Sequence, residues 1–166
     1  MATKENLQEA FAGESQANRK YLAFAKKAET DGYPQIAKLF RAAAEAETVH
    51  AHNHLRVMKG VKGTGENLQA AIGGEGDEFK HMYPQFIAEA EQEGEKPAIT
   101  TFRYANEVEK VHYKLYSEAL EQFNKGKDLP KADMYICSVC GYTVAGDFPE
   151  KCPVCGSAGK AFTRIE

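Results

Sequence analysis

Apolar residues recur at steps of three and four along most of the chain, which is the spacing of one face of an α-helix. Prolines occur in the first turn of the second and fourth stretches, and a glycine follows the end of each stretch, as at many helix boundaries. We therefore predict an antiparallel four-helix bundle whose helices run from about 3 to 30, 34 to 59, 66 to 94 and 97 to 125.

The pattern changes after residue 126. The last part of the chain has short β-type runs such as Tyr142-Thr143-Val144, and it is interrupted by glycine and proline. We therefore expect a mainly α protein with three parts: a ferritin-like helical bundle over 1–126, a linker over 127–133 and a small cysteine-containing module over 134–166.

Composition and charge exclude several classes of protein. Among 166 residues, 21 Lys and Arg nearly balance 24 Asp and Glu, so phosphate neutralisation, and with it nucleic-acid binding, is not expected. The chain has no run of about 18 apolar residues, so we predict no membrane span. The first residues lack the apolar segment of a signal peptide, so we expect a cytoplasmic protein.

The helical part is an internal duplication. Residues 5–14 match 66–75 at seven of ten positions, and residues 40–50 match 102–112 at seven of eleven. The offset is 61 in the first match and 62 in the second, so one extra residue lies between Glu75 and Tyr83. A single π-helical turn there would restore the register of the helix, and such turns are frequent at functional sites. The duplication itself predicts two helical hairpins related by a pseudo-two-fold axis.

Two Glu-x-x-His motifs occupy equivalent places in the two halves. Glu47-x-x-His50 and Glu109-x-x-His112 follow apolar residues on the same helical stripe, and Glu14 and Glu75 are a matched pair on the other two helices. One such motif alone would be an ordinary solvated face. Two at symmetry-related core positions indicate a dimetal carboxylate site, as in ferritin-like bundles. This chemistry suits Fe or Mn, and Zn is possible.

The predicted site is asymmetric, because Glu78 has no counterpart in the first half. Tyr21 and Tyr83 lie on or near the ligand stripe and are candidates for hydrogen bonds to the ligands. The candidate ligands are Glu14, Glu47, His50, Glu75, Glu78, Glu109 and His112.

All the cysteines lie in the last part of the chain, as two Cys-x-x-Cys-Gly motifs. This arrangement predicts a tetrahedral four-sulfur site, for which both Zn and Fe are suitable. Disulfides are the alternative, and a reducing cytosol disfavours them. Next to a redox-active dimetal bundle, a one-electron Fe(Cys)4 centre would let electrons enter. The four ligands are Cys137, Cys140, Cys152 and Cys155.

These motifs together resemble the rubrerythrin family along the whole chain. The first-helix signature of the family resembles Gly13-Glu14-Ser15-Gln16-Ala17. Its third-helix signature resembles Glu75-x-x-Glu78 followed by Met82-Tyr83-Pro84. The cysteine module is similar to a rubredoxin with a shortened loop between the two motifs. The resemblance implies an oxidoreductase: a non-haem, oxo- and carboxylate-bridged diiron peroxidase that reduces hydrogen peroxide to water in oxidative-stress defence.

The resemblance also implies roles and partners. Glu47 and Glu109 would bridge the irons, and one iron would move between Glu78 and His50 on redox change. The Fe(Cys)4 site of one subunit of a head-to-tail homodimer would pass electrons to the diiron site of the other. The donor would be reduced rubredoxin or an NAD(P)H-dependent reductase.

Three other functions remain open from the residues. An iron-storing ferroxidase would use a similar bundle but assemble into a shell. A non-enzymatic protein could hold Zn in the cysteine module and a structural metal in the bundle. Oxygen reduction would use the same residues as peroxide reduction.

Overall fold

The computed structural model describes residues 2–166 and is mainly helical, which confirms the fold class. No helix among these residues is both long and apolar enough to cross a bilayer. The helical elements are α1 (Ala2–Thr30), α2 (Pro34–Val57), α3 (Thr64–Asp77), a π-helical turn (Glu78–Met82), α4 (Tyr83–Glu93) and α5 (Lys96–Asn124). A small sheet follows, formed by β1 (Met134–Cys137), β2 (Thr143–Ala145) and β3 (Phe162–Ile165).

The π-helical turn confirms the prediction drawn from the change of offset. The backbone N–H of Tyr83 donates to the carbonyl oxygen of Glu78, five residues earlier. The turn takes up the extra residue, so the helix on either side keeps the face that the duplication predicts. The third predicted helix is therefore α3, the π turn and α4 in succession.

The chain divides into two compact units after Lys62. The first contains α1 and α2, which we call the N-terminal hairpin. The second contains α3, the π turn, α4 and α5, which we call the C-terminal hairpin, together with the sheet and its cysteines, which we call the Cys module. This grouping is different from the predicted division at residue 126, because the Cys module packs on α5.

Small residues hold α1 and α2 together. Ala25, Ala37 and Ala44 are almost completely buried between the two helices, which lets the backbones approach closely. Asn18 is the one buried polar side chain recorded in the described part of the chain, and its Nδ2 donates to the carbonyl oxygen of Ala44 at 2.7 Å and to Thr48 Oγ1 at 2.9 Å. These bonds fix the register of the pair, since a slip would leave the amide unsatisfied.

The two hairpins repeat the same internal contacts. The rings of Phe24 and Phe40 lie 5.6 Å apart, as do the rings of Phe86 and Phe102 in the second copy. The ion pair between Arg41 and Glu29 likewise recurs between Arg103 and Glu91, with an N–O distance of 2.5 Å in both. The duplication seen in the sequence is thus a duplication of tertiary contacts.

The Cys module is a three-stranded antiparallel sheet in the order β2-β1-β3. A glycine follows the second cysteine of each motif, with a positive φ of 86° at Gly141 and 73° at Gly156. Their N–H groups donate to the carbonyl oxygens of Cys137 and Cys152. Glycine adopts this conformation without steric strain, so each motif closes into a tight turn.

Candidate metal sites

The N-terminal hairpin brings three of the predicted ligands together. Glu14 on α1 meets Glu47 and His50 on α2, and one ligand atom from each lies within 4.8 Å of the others. His50 Nδ1 lies 2.9 Å from Glu47 Oε2 and 3.8 Å from Glu14 Oε1. The spacing of three residues places Glu47 and His50 on one side of α2, so the helix itself builds two thirds of the cluster.

The C-terminal hairpin holds the matching cluster. Glu75 on α3 meets Glu109 and His112 on α5, again within 4.8 Å. His112 Nδ1 lies 2.8 Å from Glu109 Oε2 and 3.6 Å from Glu75 Oε1. Six of the seven predicted ligands therefore fall into two equivalent groups of three.

The second cluster has the electrostatics of a cation site. Burial raises the pKa of Glu75 to about 7, with further contributions from the hydrogen bond and charge of Glu109, and burial also raises the pKa of Glu109. Glu75 Oε2 is buried and has no hydrogen-bond partner in the described chain. An unpartnered buried carboxylate oxygen is costly, and a bound cation would remove that cost. Carboxylate and imidazole donors fit the iron that the ligand pattern predicts.

Glu78 lies outside the three-residue cluster, in the π turn. It is half-buried, and burial followed by the charge of Glu75 raises its pKa. Burial, followed by the charges of Glu109, Glu78 and Glu75, likewise raises the pKa of Tyr83. Glu78 is thus close enough to interact electrostatically with the cluster without forming part of it.

The two tyrosines pack among aromatic rings. Tyr21 lies 6.2 Å from the ring centroid of Phe40, and Tyr83 lies 6.2 Å from that of Phe102. Neither hydroxyl has a hydrogen-bond partner among residues 2–166.

Thr143 contacts a predicted metal ligand, and sequence reasoning did not identify it. Its hydroxyl donates to the carbonyl oxygen of Gly141 at 3.0 Å and lies 2.9 Å from His112 Nε2. Since the hydroxyl proton is used on Gly141, Thr143 Oγ1 accepts from the Nε2–H of His112. In this tautomer, Nδ1 carries the lone pair, which is the form that would bind a metal ion held by Glu75 and Glu109. No local sequence signal connects two residues separated by 31 positions.

The cysteines form a four-sulfur cluster within the Cys module. The sulfurs of Cys137 and Cys155 lie 3.7 Å apart, and those of Cys140 and Cys152 lie 3.5 Å apart. A tetrahedron with metal–sulfur bonds of about 2.3 Å has edges of about 3.8 Å, so the cluster fits a metal. The separations are too long for disulfides, and the cysteines are free thiols.

The thiols have different acidities. Burial raises the pKa of Cys140 and of Cys152. Burial acts in the same direction on Cys155, but hydrogen bonds with Ser157, followed by those with Cys152 and Cys140, outweigh it and lower its pKa to about 6. Cys155 Sγ lies 3.2 Å from Ser157 Oγ. Cys155 therefore supplies a thiolate near neutral pH, the form that binds a metal.

Protein-family models match both parts of the chain. The model described as Rubrerythrin matches residues 5–120, and the model described as Rubrerythrin, rubredoxin-like domain, matches residues 135–163. The first covers the helices that carry both carboxylate clusters, and the second covers all four cysteines.

Relatives match along nearly the full length. The chain is 40% identical to Rubrerythrin-2 of Clostridium acetobutylicum, with 93% of this chain and 91% of the relative covered. It is 37% identical to Nigerythrin of Nitratidesulfovibrio vulgaris, with 98% and 86% covered. A solved structure described as the fully reduced, all-ferrous state of nigerythrin matches with a TM-score of 0.59 and 34% identity, covering 98% of this chain and 86% of that one.

Proposed function

Because the chain belongs to the rubrerythrin family, we propose that it is a non-haem diiron peroxidase that reduces hydrogen peroxide to water. The observation that carries the proposal is the pair of matched Glu-Glu-His clusters. The cluster of the C-terminal hairpin is also hydrogen-bonded, through Thr143, to the rubredoxin-like Cys module. Family membership supports an oxidoreductase with a diiron carboxylate site and a four-cysteine iron site. Peroxide as the oxidant is our own inference.

The ligand assignment that we propose combines the two clusters with the roles that the family resemblance implies. Glu14 and Glu75 would each bind one iron, His50 and His112 would each supply Nδ1, and Glu47 and Glu109 would bridge. Glu78, held near Glu75 by the π turn, would be the seventh ligand and would exchange with His50 as the oxidation state changes. Two ferrous ions, when bound, supply the two electrons that cleavage of one O–O bond requires.

The residues of this chain provide a short route for the electrons. Cys140 is followed by Gly141, whose carbonyl oxygen accepts from Thr143, and Thr143 in turn accepts from His112. This hydrogen-bonded path joins the Cys module to the carboxylate cluster of its own chain, whereas the resemblance implied transfer between subunits. We propose that electrons enter at the four-cysteine iron and leave it by this path.

The proposed electron donor and oligomeric state are those that the family resemblance implies. Reduced rubredoxin or an NAD(P)H-dependent reductase would reduce the Cys module, and the protein would act as a homodimer. Four free thiols in one metal-binding cluster support a reducing compartment such as the cytoplasm.

The test is single-turnover oxidation of the fully reduced protein. The protein is reduced without oxygen and mixed with a small excess of peroxide, enough to accept the electrons of the diiron site and of the four-cysteine iron, and both iron centres are followed by their absorbance. We expect oxidation of both, much faster than with an equal concentration of dissolved oxygen. Faster oxidation by oxygen would instead identify an oxygen reductase. Accumulation of ferric iron beyond three per chain, in a large shell, would identify a ferroxidase.

A further inference from the structure

Side chains directly after Glu78 attach the π turn to α5. The ring of Phe79 meets the ring of Tyr113 edge to face, with 5.4 Å between the two ring centroids. Lys80 Nζ lies 4.7 Å from the centroid of the Tyr113 ring and 5.2 Å from that of the Phe79 ring. Aromatic pairs in this geometry attract each other, and so do a cation and the face of a ring. We call Phe79, Lys80 and Tyr113 the aromatic clamp.

The clamp holds a part of the helix that needs support from outside. A π-helical turn is a rare interruption of an α-helix, and helices in proteins gain most of their stability from tertiary packing. Phe79 and Lys80 both belong to the turn Glu78–Met82, and both reach the same residue of α5. Tyr113 directly follows His112, so the segment of α5 that carries the histidine also holds the turn that carries Glu78.

The N-terminal hairpin has no equivalent of the clamp. At the offset of 62, Tyr113 corresponds to Ala51, one of the alanines that α2 buries, and at the offset of 61, Gly76 corresponds to Ser15. Gly76 is buried, and a Cβ atom on it would lie only 3.3 Å from Cε2 of Tyr113. The tyrosine ring therefore uses space that the glycine leaves open. The large residue, the glycine and the π turn occur together in the hairpin that has Glu78.

The clamp also determines where along the helix the extra residue is taken up. The duplication requires one additional residue between Glu75 and Tyr83, but it does not specify the place. If the π turn formed closer to Glu75, Glu78 would rotate relative to Glu75 by up to about 100° around the helix axis. The Glu78 carboxylate makes no hydrogen bond or ion pair within residues 2–166, so the backbone of the turn sets its position.

We propose that Tyr113 is a positioning residue for Glu78: through Phe79 and Lys80 it fixes the π turn, and the fixed turn holds the Glu78 carboxylate beside Glu75. This role rests on the diiron function proposed above, because it explains how the seventh ligand is kept available to iron. Tyr113 itself would not bind the metal.

Hydrogen exchange at the π turn tests the first half of this role. Tyr113→Ala gives α5 the residue that α2 carries at the equivalent position, and Tyr113→Phe keeps the ring. In the iron-loaded protein, we expect amides in peptides covering 78–83 to exchange at least about tenfold faster in the alanine variant, because the clamp is lost. The phenylalanine variant should exchange at the wild-type rate. Mass spectrometry of the peptides measures both.

Tyr116→Ala is the matched control for the exchange measurement. Tyr116 lies on the same helix, is 38% exposed and makes no ring contact with the π turn in the described part of the chain. Its substitution should leave exchange at 78–83 unchanged. Wild-type exchange at these amides in Tyr113→Ala would overturn the proposal, since the turn would then be stable without the clamp.

The midpoint potential of the bundle iron tests the second half, because a contact that only stabilises the fold would not shift it through Glu78. An anionic ligand favours ferric over ferrous iron by its charge, so losing Glu78 from the site should raise the potential. We expect a rise in Tyr113→Ala and in Glu78→Ala, and no further rise when the two are combined, while Tyr113→Phe keeps the wild-type value. A redox titration followed by absorbance measures all four proteins.

Two results of the titration would overturn the proposal. A wild-type potential in Tyr113→Ala, or shifts that add in the double variant, would show that the tyrosine does not act through Glu78. A wild-type potential in Glu78→Ala would show that Glu78 does not bind the iron, and would refute the positioning role together with the ligand assignment. Neither measurement uses peroxide, so a failure of the proposed peroxidase activity would be seen separately, in the single-turnover experiment.

Discussion

The N-terminal and C-terminal hairpins began as copies and now have different surroundings. In the first, His50 is 53% exposed in its side chain, and in the second, His112 is 26% exposed and held by Thr143. The second also has the extra residue, the π turn and Glu78. The two copies thus supply matching ligands, and the second copy also has a histidine bonded to Thr143, an additional carboxylate and a contact to the Cys module.

The largest difference between the hairpins is that only the C-terminal one contacts the Cys module. The substitution Cys152→Ser would remove one of the module's four metal ligands. A four-cysteine metal contributes on the order of 10 kcal/mol to the folding of a small domain, so the module should unfold. We expect loss of one metal per chain and of donor-dependent turnover, measured by metal analysis and circular dichroism, while the bundle keeps its iron when iron is supplied in excess. Ser138→Ala, at an exposed neighbour of Cys137, is the control. Full turnover by the Cys152 variant would show that electrons enter elsewhere.

The next largest effect should come from Glu78→Ala, which makes the second hairpin resemble the first. Six ligands remain in the two clusters, so we expect nearly normal iron content. If Glu78 is the exchangeable ligand proposed above, oxidation of the reduced protein by peroxide should slow by at least about tenfold. Asp77→Ala, at the exposed neighbouring residue, should change neither quantity. Unchanged single-turnover rates would remove Glu78 from the mechanism.

The substitution Thr143→Val tests whether the hydrogen bond that orients His112 contributes to metal binding at the bundle. The valine cannot accept from His112 Nε2, so the imidazole loses its orientation. The expected result is metal binding at the bundle about 10-fold weaker, as for other residues that orient a ligand. Competition with a chelator measures this, and Thr143→Ser should restore it. Thr100→Val, which removes an exposed hydroxyl on α5, serves as the comparison. Equal affinity in the valine and serine variants would contradict the orienting role.

The smallest expected effect is a pH dependence of the metal-free protein. The pKa of Glu75 is about 7 when folded, above its ordinary value of 4.5, so the folded state retains a proton that the unfolded chain has released. Stability should therefore fall as pH rises from about 4.5 to 7, by linkage. Urea unfolding of the metal-free wild type and Glu75→Gln checks this. The slope should be smaller in the variant, and an equal slope would exclude Glu75 as its source.

Many features of this chain could be predicted from its sequence because they depend on residues close together in the chain. The helices follow from the spacing of apolar residues, and their ends from proline and glycine, although α2 stops two residues before the predicted end. The π turn followed from counting, since one residue inserted into a duplicated helix must be accommodated somewhere. The ligand types and the i, i+3 spacing of Glu47 and His50 also lie within single helices.

Other features could not be read from the chain. Ile36 is exposed although it lies at an apolar step of α2, because α2 buries its alanine stripe against α1, where small residues allow the closest approach of two helices. Asn18 is buried and bonded to Ala44 and Thr48, which no local sequence pattern indicates. Thr143 became a partner of His112 only because the Cys module packs on α5.

By itself, the sequence determined the helical repeat, the duplication, the two metal-binding chemistries and the position of the π turn. These properties depend on residue type and spacing within one element, so they follow from the amino-acid sequence alone. Tertiary structure alone decided which stripe each hairpin buries, which histidine is held in one tautomer and which hairpin the Cys module adjoins. These depend on side chains far apart in the chain, and only packing determines which of them meet.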